Sequence, residues 1–308
     1  MRLVFMGNPE FSLPALRALA DSRHTLLAAV TSPDRPRGRG RRVTPVPVKE
    51  AAEALGLPVF QPKSLKAPEF LEPMRSLEVD AFVVVAFRIL PSSLFTIPRY
   101  GSINIHPSLL PRGRGPAPIQ WTLIRGETET GVSIIQLSER IDGGAILRQE
   151  RSVIEPHENF GDLHDRLGEM GARMVVTVLD ELEDGCALAP ILQDEAGVTS
   201  APKLQAKDYL LDWSQGADEL RNRIRAFSPV PGASTTLDGT PFKILEAQVL
   251  EGADLRPGEL RHDGDFLVVG TGSGQLRLER VKPSGKRAMT SEEFLRGYRS
   301  LPERFDSY

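Results

Sequence analysis

The chain has 308 residues, 40% of them hydrophobic, and its 38 basic and 41 acidic side chains leave a net charge of −3. That length exceeds one typical domain and supplies sizeable cores, while the near-neutral total says nothing by itself about a nucleic-acid partner. A single cysteine, Cys186, excludes an intramolecular disulfide and fits a reducing cytoplasm, where it reads as a small buried hydrophobe. The apolar run near Met1 is too short for a signal peptide and no stretch reaches the length of a membrane span, so a soluble cytoplasmic protein is expected.

Taken in chain order, the first half alternates strand and helix signals. A strand over Leu3–Met6 is followed by a helix over Pro14–Ala20, a strand over Leu26–Thr31 and a helix over Val48–Leu55. A short apolar piece at Pro58–Phe60, a helix over Glu69–Leu77 and a strand over Ala81–Phe87 continue the alternation. The unbroken run from Phe82 to Ala86 suits a central strand buried on both faces. Strands at Ser102–His106 and Val132–Leu137 and a long helix over Leu163–Leu182 complete an α/β, Rossmann-like domain with a mostly parallel sheet. The turn after the first strand, Gly7-Asn8-Pro9-Glu10-Phe11, lacks Gly-x-Gly-x-x-Gly, which weakens a dinucleotide-dependent oxidoreductase as an alternative.

Residues 190–207 are polar and read as a linker. Beyond them lie a helix over Glu219–Phe227 and strands at Lys243–Leu250, Phe266–Val269 and Leu276–Val281. A final helix over Thr290–Tyr298 has Thr290 as N-cap and Glu293 at the capping-box position. Short strands divided by turns suggest a small OB-like β-barrel. The expected division is residues 1–189, a linker at 190–207, and 208–308.

The segment Ser102-Ile-Asn-Ile-His-Pro-Ser-Leu-Leu-Pro carries the first chemical signal. Strand alternation turns Asn104 and His106 to one face and Ile103 and Ile105 to the other, and Pro107 should end the strand there. At the carboxyl end of a sheet strand an amide and an imidazole can stabilise an oxyanion or move a proton. Alone, the pair fits equally a hydrogen-bonded couple in a polar groove. Downstream, two strand-like runs flank a turn holding Asp142, Gly143 and Gly144, where Asp142 either faces a bound molecule or simply starts the turn.

Charge is concentrated in residues 31–49, where Arg35, Arg37, Arg39, Arg41, Arg42 and Lys49 face one acid, Asp34. Proline and glycine there argue for a mobile loop, which could neutralise RNA phosphates or merely be solvated. Smaller groups at Arg221, Arg223 and Arg225, and at Arg277, Arg280, Lys282, Lys286 and Arg287, are explained adequately by solvated faces.

Taken together, the Asn-x-His-x-Ser-Leu-Leu-Pro string and the later Gly131-Val-Ser-Ile run ending at Asp142-Gly-Gly resemble the folate-dependent formyltransferases. The resemblance implies 10-formyltetrahydrofolate as co-substrate and Asn104, His106 and Asp142 as the catalytic trio. It places Ser108, Leu109, Leu110 and Pro111 in the folate-site loop, with Phe87 and Leu90 beside the folate ring system. No metal is required, and five histidines and one cysteine show no ligand cluster of recognised spacing. Further likeness at Ser32-Pro-Asp-Arg-Pro-Arg, Leu57-Pro-Val-Phe-Gln-Pro, Pro118-Ile-Gln, Arg225-Ala-Phe-Ser-Pro and Lys282-Pro-Ser-Gly-Lys points to the branch acting on initiator methionyl-tRNA. On that likeness the basic loop, Arg39 above all, meets the acceptor arm, the C-terminal domain adds tRNA contacts, and the protein works as a monomer without a membrane. The chain departs from the family at Phe87-Arg88-Ile89-Leu90-Pro91, which is one residue short, at Gly113, where an aromatic is common, and at Pro116. A formyltransferase for a sugar-nucleotide amine, or a non-catalytic RNA-binding protein on the same scaffold, are the alternatives.

Overall fold

The computed structural model describes residues 1–37, 42–186, 188–252, 254–298 and 302–306. These residues form two compact units. The first unit is built on strands β1 (Arg2–Gly7) and β2 (Thr25–Val30), a ribbon of β3 (Arg35–Arg37) and β4 (Arg42–Thr44), and β5 (Val59–Phe60). It continues through β6 (Ala81–Val85), β7 (Ser102–His106), β8 (Glu129–Gln136) and β9 (Ile146–Val153). The seven-stranded sheet runs β5-β2-β1-β6-β7-β8-β9. It is parallel from β5 to β7 and antiparallel at β8 and β9. β1 and β6 are apolar without alternation because both their faces are covered, and Leu3–Met6 and Ala81–Val85 are buried throughout. Edge strand β9 instead exposes Glu150 and Arg151, charge that blunts an open edge.

Strand order reverses at β1, with β2 on one side and β6 on the other. That reversal opens a crevice at the carboxyl ends of the strands, where Gly7, Val85 and His106 lie. The connecting helices are α1 (Leu13–Ala20), α2 (Pro47–Ala54), α3 (Pro68–Ser76) and α4 (Ser92–Phe95); later in the chain come α5 (Pro118–Ile124), nearly all of which belongs to the second unit, and α6 (Phe160–Glu183), which lies mainly in the first. α6 buries Leu163, Leu167, Met174 and Val178, a stripe at helical spacing.

The second unit holds α7 (Ala217–Ala226), β10 (Ala233–Leu237), β11 (Thr240–Leu250), β12 (Leu260–Asp263), β13 (Phe266–Gly270), β14 (Gln275–Pro283), β15 (Met289–Thr290) and α8 (Ser291–Gly297). Its antiparallel sheet runs β10-β11-β14-β13-β12 with β15 on β14, consistent with a small barrel. Register shifts at Glu246 in the β11–β14 pair give the local bend that such a sheet needs to curl. Phe227, Phe242, Phe294 and Phe305 fill its core, where Trp213 stacks on Phe305 at 5.0 Å. The expected capping box is present: Thr290 Oγ1 accepts from Glu293 N (3.2 Å), and Glu293 Oε2 accepts from Thr290 N (3.1 Å).

Sequence and structure differ at several points. The units do not separate at one position, since 119–128 and 154–163 cluster with 203–308 rather than with the first unit. Ile124 packs on the second core and Gly161 N donates to Ser228 O (3.1 Å). Of the expected linker 190–207, residues 190–202 belong to the first unit. Their composition is that of a linker, yet the segment pairs with that unit's backbone through the bridges Ile146–Ile191 and Arg114–Ser200, and Gln193 and Thr199 bond its main chain. The basic segment is not an irregular loop where it is described, but an antiparallel ribbon pairing Arg35 with Thr44 and Arg37 with Arg42. Within that ribbon Pro36 stands opposite Val43. Cys186 is exposed, not buried. Among the described residues no helix is long and apolar enough to cross a membrane.

Candidate active site

Asn104 and His106 end β7 on one face, as strand alternation requires. Asn104 Nδ2 donates to Val84 O on the neighbouring strand (3.0 Å), leaving one N–H, and its buried Oδ1 has no hydrogen-bond partner among the described residues. His106 is 5% exposed, with Nε2 2.9 Å from Gly113 O. A carbonyl only accepts, so Nε2 carries the proton of that bond and Nδ1 is the nitrogen left for other work. Nδ1 lies 3.8 Å from Asp142 Oδ1, while Asp142 Oδ2 accepts from Gly115 N (2.8 Å). The structure therefore joins His106 to Asp142, with Asn104 two residues before His106 on the same strand face.

Asp142 sits at φ +52°, a left-handed conformation that costs a non-glycine residue about 1 kcal/mol or more. Gly115 has φ +128°, and a Cβ there would come within 2.4 Å of Ala201 O. That close approach lets its amide reach the Asp142 carboxylate. At Gly113, φ +76° likewise suits glycine better than the aromatic common in the resembling family.

The loop after β7 is held from beneath. Ser133 Oγ donates to Ser108 O (2.7 Å) and accepts from Leu110 N (3.2 Å) and Gln149 Nε2 (2.7 Å). Ser108 Oγ donates to Arg112 O (2.7 Å), and Gln149 Nε2 also reaches Leu110 O (3.0 Å). Ser108, Leu109 and Leu110 are buried, Leu110 in a small cluster with Ile135 and Ile146. Their side chains thus anchor the loop and Pro111 is half-buried. Leu90 is buried in the first unit's core with Phe87 packed partly against it. Arg88 donates to Pro62 O (3.0 Å) and Lys63 O (3.3 Å) and lies over the Phe87 ring at 5.1 Å. Burial, with the charge of Arg35 added, holds its guanidinium below the usual arginine range.

The basic ribbon is pinned at its base. Lys49 Nζ and Gln61 Nε2 donate to the two oxygens of Asp34 (2.6 and 2.8 Å), which keeps that carboxyl below its ordinary value. Asn8 Oδ1 takes Ser32 N (2.7 Å). Lys49 is therefore spent on Asp34, whereas Arg35 is exposed. Arg39 and Arg41 lie outside the described residues, as do the side chains of Arg37 and Arg42. In the second unit, Arg223 donates to Asp208 O (2.8 Å) and Arg225 to Asn222 Oδ1 (3.0 Å), while Arg277 pairs with Glu279 (2.8 Å).

Sequence reading missed the segment 193–201. Gln193 Nε2 donates to Asp142 O (2.7 Å) and Gly144 O (2.8 Å), and its Oε1 accepts from Arg114 Nε (3.0 Å) and Nη2 (2.8 Å). Arg114 also binds Glu195 (3.1 Å), holding that carboxyl low, and Gly113 N donates to Thr199 Oγ1 (2.9 Å). Contacts across 49 to 86 positions leave no local pattern to read. The same holds for His24, Asp180 and Glu183, whose ligand atoms lie within 4.8 Å of one another. There Arg23 pairs with both carboxylates, and the Met1 ammonium pairs with Glu183.

Residues 1–179 match the family model described as formyl transferase, and residues 203–299 match the one described as formyl transferase, C-terminal domain. The chain is 44% identical over 304 residues to a methionyl-tRNA formyltransferase of Geobacter metallireducens, covering 98% of this chain and 97% of that one. It is 46% identical to one of Methylococcus capsulatus, covering 97% of each. Among solved structures it resembles WlaRD, a sugar 3N-formyltransferase, at TM-score 0.67 and 13% identity over 93% of this chain and 99% of that one. It also resembles HypX from Aquifex aeolicus in complex with tetrahydrofolic acid, at TM-score 0.63 and 19% identity, over 96% of this chain and 47% of that one.

Proposed function

Since the chain belongs to the formyl transferase family, we propose that it transfers the formyl group of 10-formyltetrahydrofolate to the α-amine of methionine esterified to initiator tRNA. The observation that carries this reading is the 44–46% identity, over nearly the whole of both chains, to proteins named for that reaction. Asn104, His106 and Asp142 are the catalytic residues, and the product primes translation initiation in the cytoplasm.

The residues support a direct transfer. With a pKa near or below about 8, the aminoacyl α-amine is substantially neutral around pH 7 and needs little activation. It attacks the formyl carbon, forming a C–N bond and an oxyanion. The N–H of Asn104 not used by Val84 donates to that oxygen, worth roughly 3–4 kcal/mol for a well-aimed donor. Its unpaired Oδ1 can accept from the amine and hold the lone pair towards carbon. Because His106 Nε2 is committed to Gly113 O, Nδ1 and the Asp142 carboxylate serve the proton. The proton lost by the amine passes to N10 of the folate as the C–N10 bond breaks, so tetrahydrofolate leaves neutral at that nitrogen.

The loop Ser108–Pro111, with Phe87 and Leu90, borders the folate through its backbone, its side chains being turned largely inward. Arg35, Arg37, Arg39, Arg41 and Arg42 meet the phosphates of the acceptor arm, the second unit adds RNA contacts, and one copy of the chain suffices. No metal takes part in these steps.

The test is transfer of labelled formyl from 10-formyltetrahydrofolate to methionyl initiator tRNA, beside elongator methionyl-tRNA and a UDP-amino-sugar. Formylation of the initiator alone is the expected result. Turnover with the amino-sugar instead would keep the trio's chemistry and overturn the acceptor; RNA binding without turnover would remove the enzyme.

A further inference from the structure

The geometry points to Gln193 as a positioning residue for the reaction, setting the Asp142 carboxylate against His106 from a segment that neither matched family region covers. This inference rests on the trio proposed above. Asp142 has two mechanical problems. Its backbone is left-handed, at φ +52°, and the 137–145 connection that carries it leaves β8 and returns as β9. Its own side chain fixes one end, through Gly115 N. The backbone end is fixed by Gln193, whose amide group donates to the carbonyls of both Asp142 and Gly144 and so straddles the turn.

The amide is itself immobilised. Arg114 grips Oε1 through Nε and Nη2, and Glu195 in turn holds Arg114, so every polar site of the Gln193 side chain is used. The assembly also closes on the imidazole. Arg114 lies between Gly113, whose carbonyl receives His106 Nε2, and Gly115, whose amide holds Asp142 Oδ2. One bracket, Gln193–Arg114, therefore references both members of the His106–Asp142 pair to the same backbone turn. Only a primary amide of this length meets the demand. Glutamate would keep Arg114 but set an oxygen against two carbonyls, while alanine would release the turn.

A misplacement of about 1 Å in a reacting constellation can cost roughly a hundredfold in rate. Gln193→Ala should therefore lower kcat for formyl transfer by roughly ten- to a hundredfold with KM for methionyl-tRNA and folate held within about twofold. The decisive measurement is a double-mutant cycle on single-turnover rates with Asp142→Ala. If Gln193 acts through Asp142, its substitution adds nothing further once Asp142 is gone. An unchanged kcat in Gln193→Ala, or the same fractional loss in both backgrounds, overturns the inference. Should Gln193→Ala fail to fold, the isosteric Gln193→Glu is put through the same cycle and read by the same outcomes. Failure of the parent chain to formylate any tRNA would strike the proposed function instead, and is visible before any variant is made.

Discussion

The end of β7 and the basic ribbon of β3 and β4 are both built around polar residues, yet they are held in opposite ways. At the first, Val84, Gly113, Gly115 and Gln193 each fix a member of the trio or its backbone by a hydrogen bond. At the second, Asp34, Lys49 and Gln61 pin the base, and Arg35 beyond the pin is exposed. On the proposed function, the contrast follows from what each would have to recognise. An oxyanion exists at one point for an instant, and a donor displaced from it contributes little. Phosphate charge extends along a whole arm, and a cation anywhere near it releases counterions.

The largest way to break the contrast is at the trio. Asn104→Ala and His106→Ala should each lower kcat by roughly 10²–10³-fold, while tRNA affinity, measured by filter binding, stays unchanged. Loss of affinity without loss of kcat would mean that the end of β7 is a binding surface like the ribbon. Next comes the ribbon itself. Replacing Arg37, Arg39, Arg41 and Arg42 by alanine should weaken tRNA binding and flatten log affinity against log salt, by about 1 in slope for each phosphate no longer neutralised. The rate at saturating tRNA should hold. An unchanged salt slope would move RNA recognition elsewhere.

A smaller effect is expected from Ser133→Ala. That hydroxyl is fully buried and serves Ser108 O, Leu110 N and Gln149 at once. Its removal leaves buried groups unpaired, at about 1–3 kcal/mol of stability, and should raise KM for 10-formyltetrahydrofolate. A stability loss in denaturant with folate KM untouched would detach the Ser108–Pro111 loop from the folate site.

What the sequence disclosed follows the same division. The parallel sheet, Asn104 and His106 were legible because strand period and a terminating proline are local signals. That Asp142 would lie against His106 is suggested only by likeness to a family, since an acid before two glycines is also an ordinary turn. Gln193 and Thr199 were invisible: their partners lie far away in sequence, and their segment has the composition of a linker. In the basic segment local composition points to a mobile loop because proline and glycine outweigh pairing in local statistics, whereas among the described residues β3 and β4 pair as a ribbon with Pro36 opposite Val43. The two excursions of 119–128 and 154–163 into the second unit's cluster likewise leave no compositional mark.

The smallest and sharpest test is Asp34→Asn. Lys49 and Gln61 hold the Asp34 carboxyl below its ordinary value, so the ionised form is the one the fold favours. A depressed carboxyl contributes stability that is full above the usual carboxylate range and fades as pH falls through the lower, folded value. The thermal midpoint of Asp34→Asn should therefore sit slightly below the parent's at neutral pH, and the gap should close on acidification below about pH 4. Its effect on RNA separates pose from charge. If the ribbon acts by charge alone, removing its one acid leaves tRNA affinity equal or slightly higher. A drop in affinity would show that the ribbon, like the end of β7, must be held in place to work, and the difference between the two regions would then be one of degree.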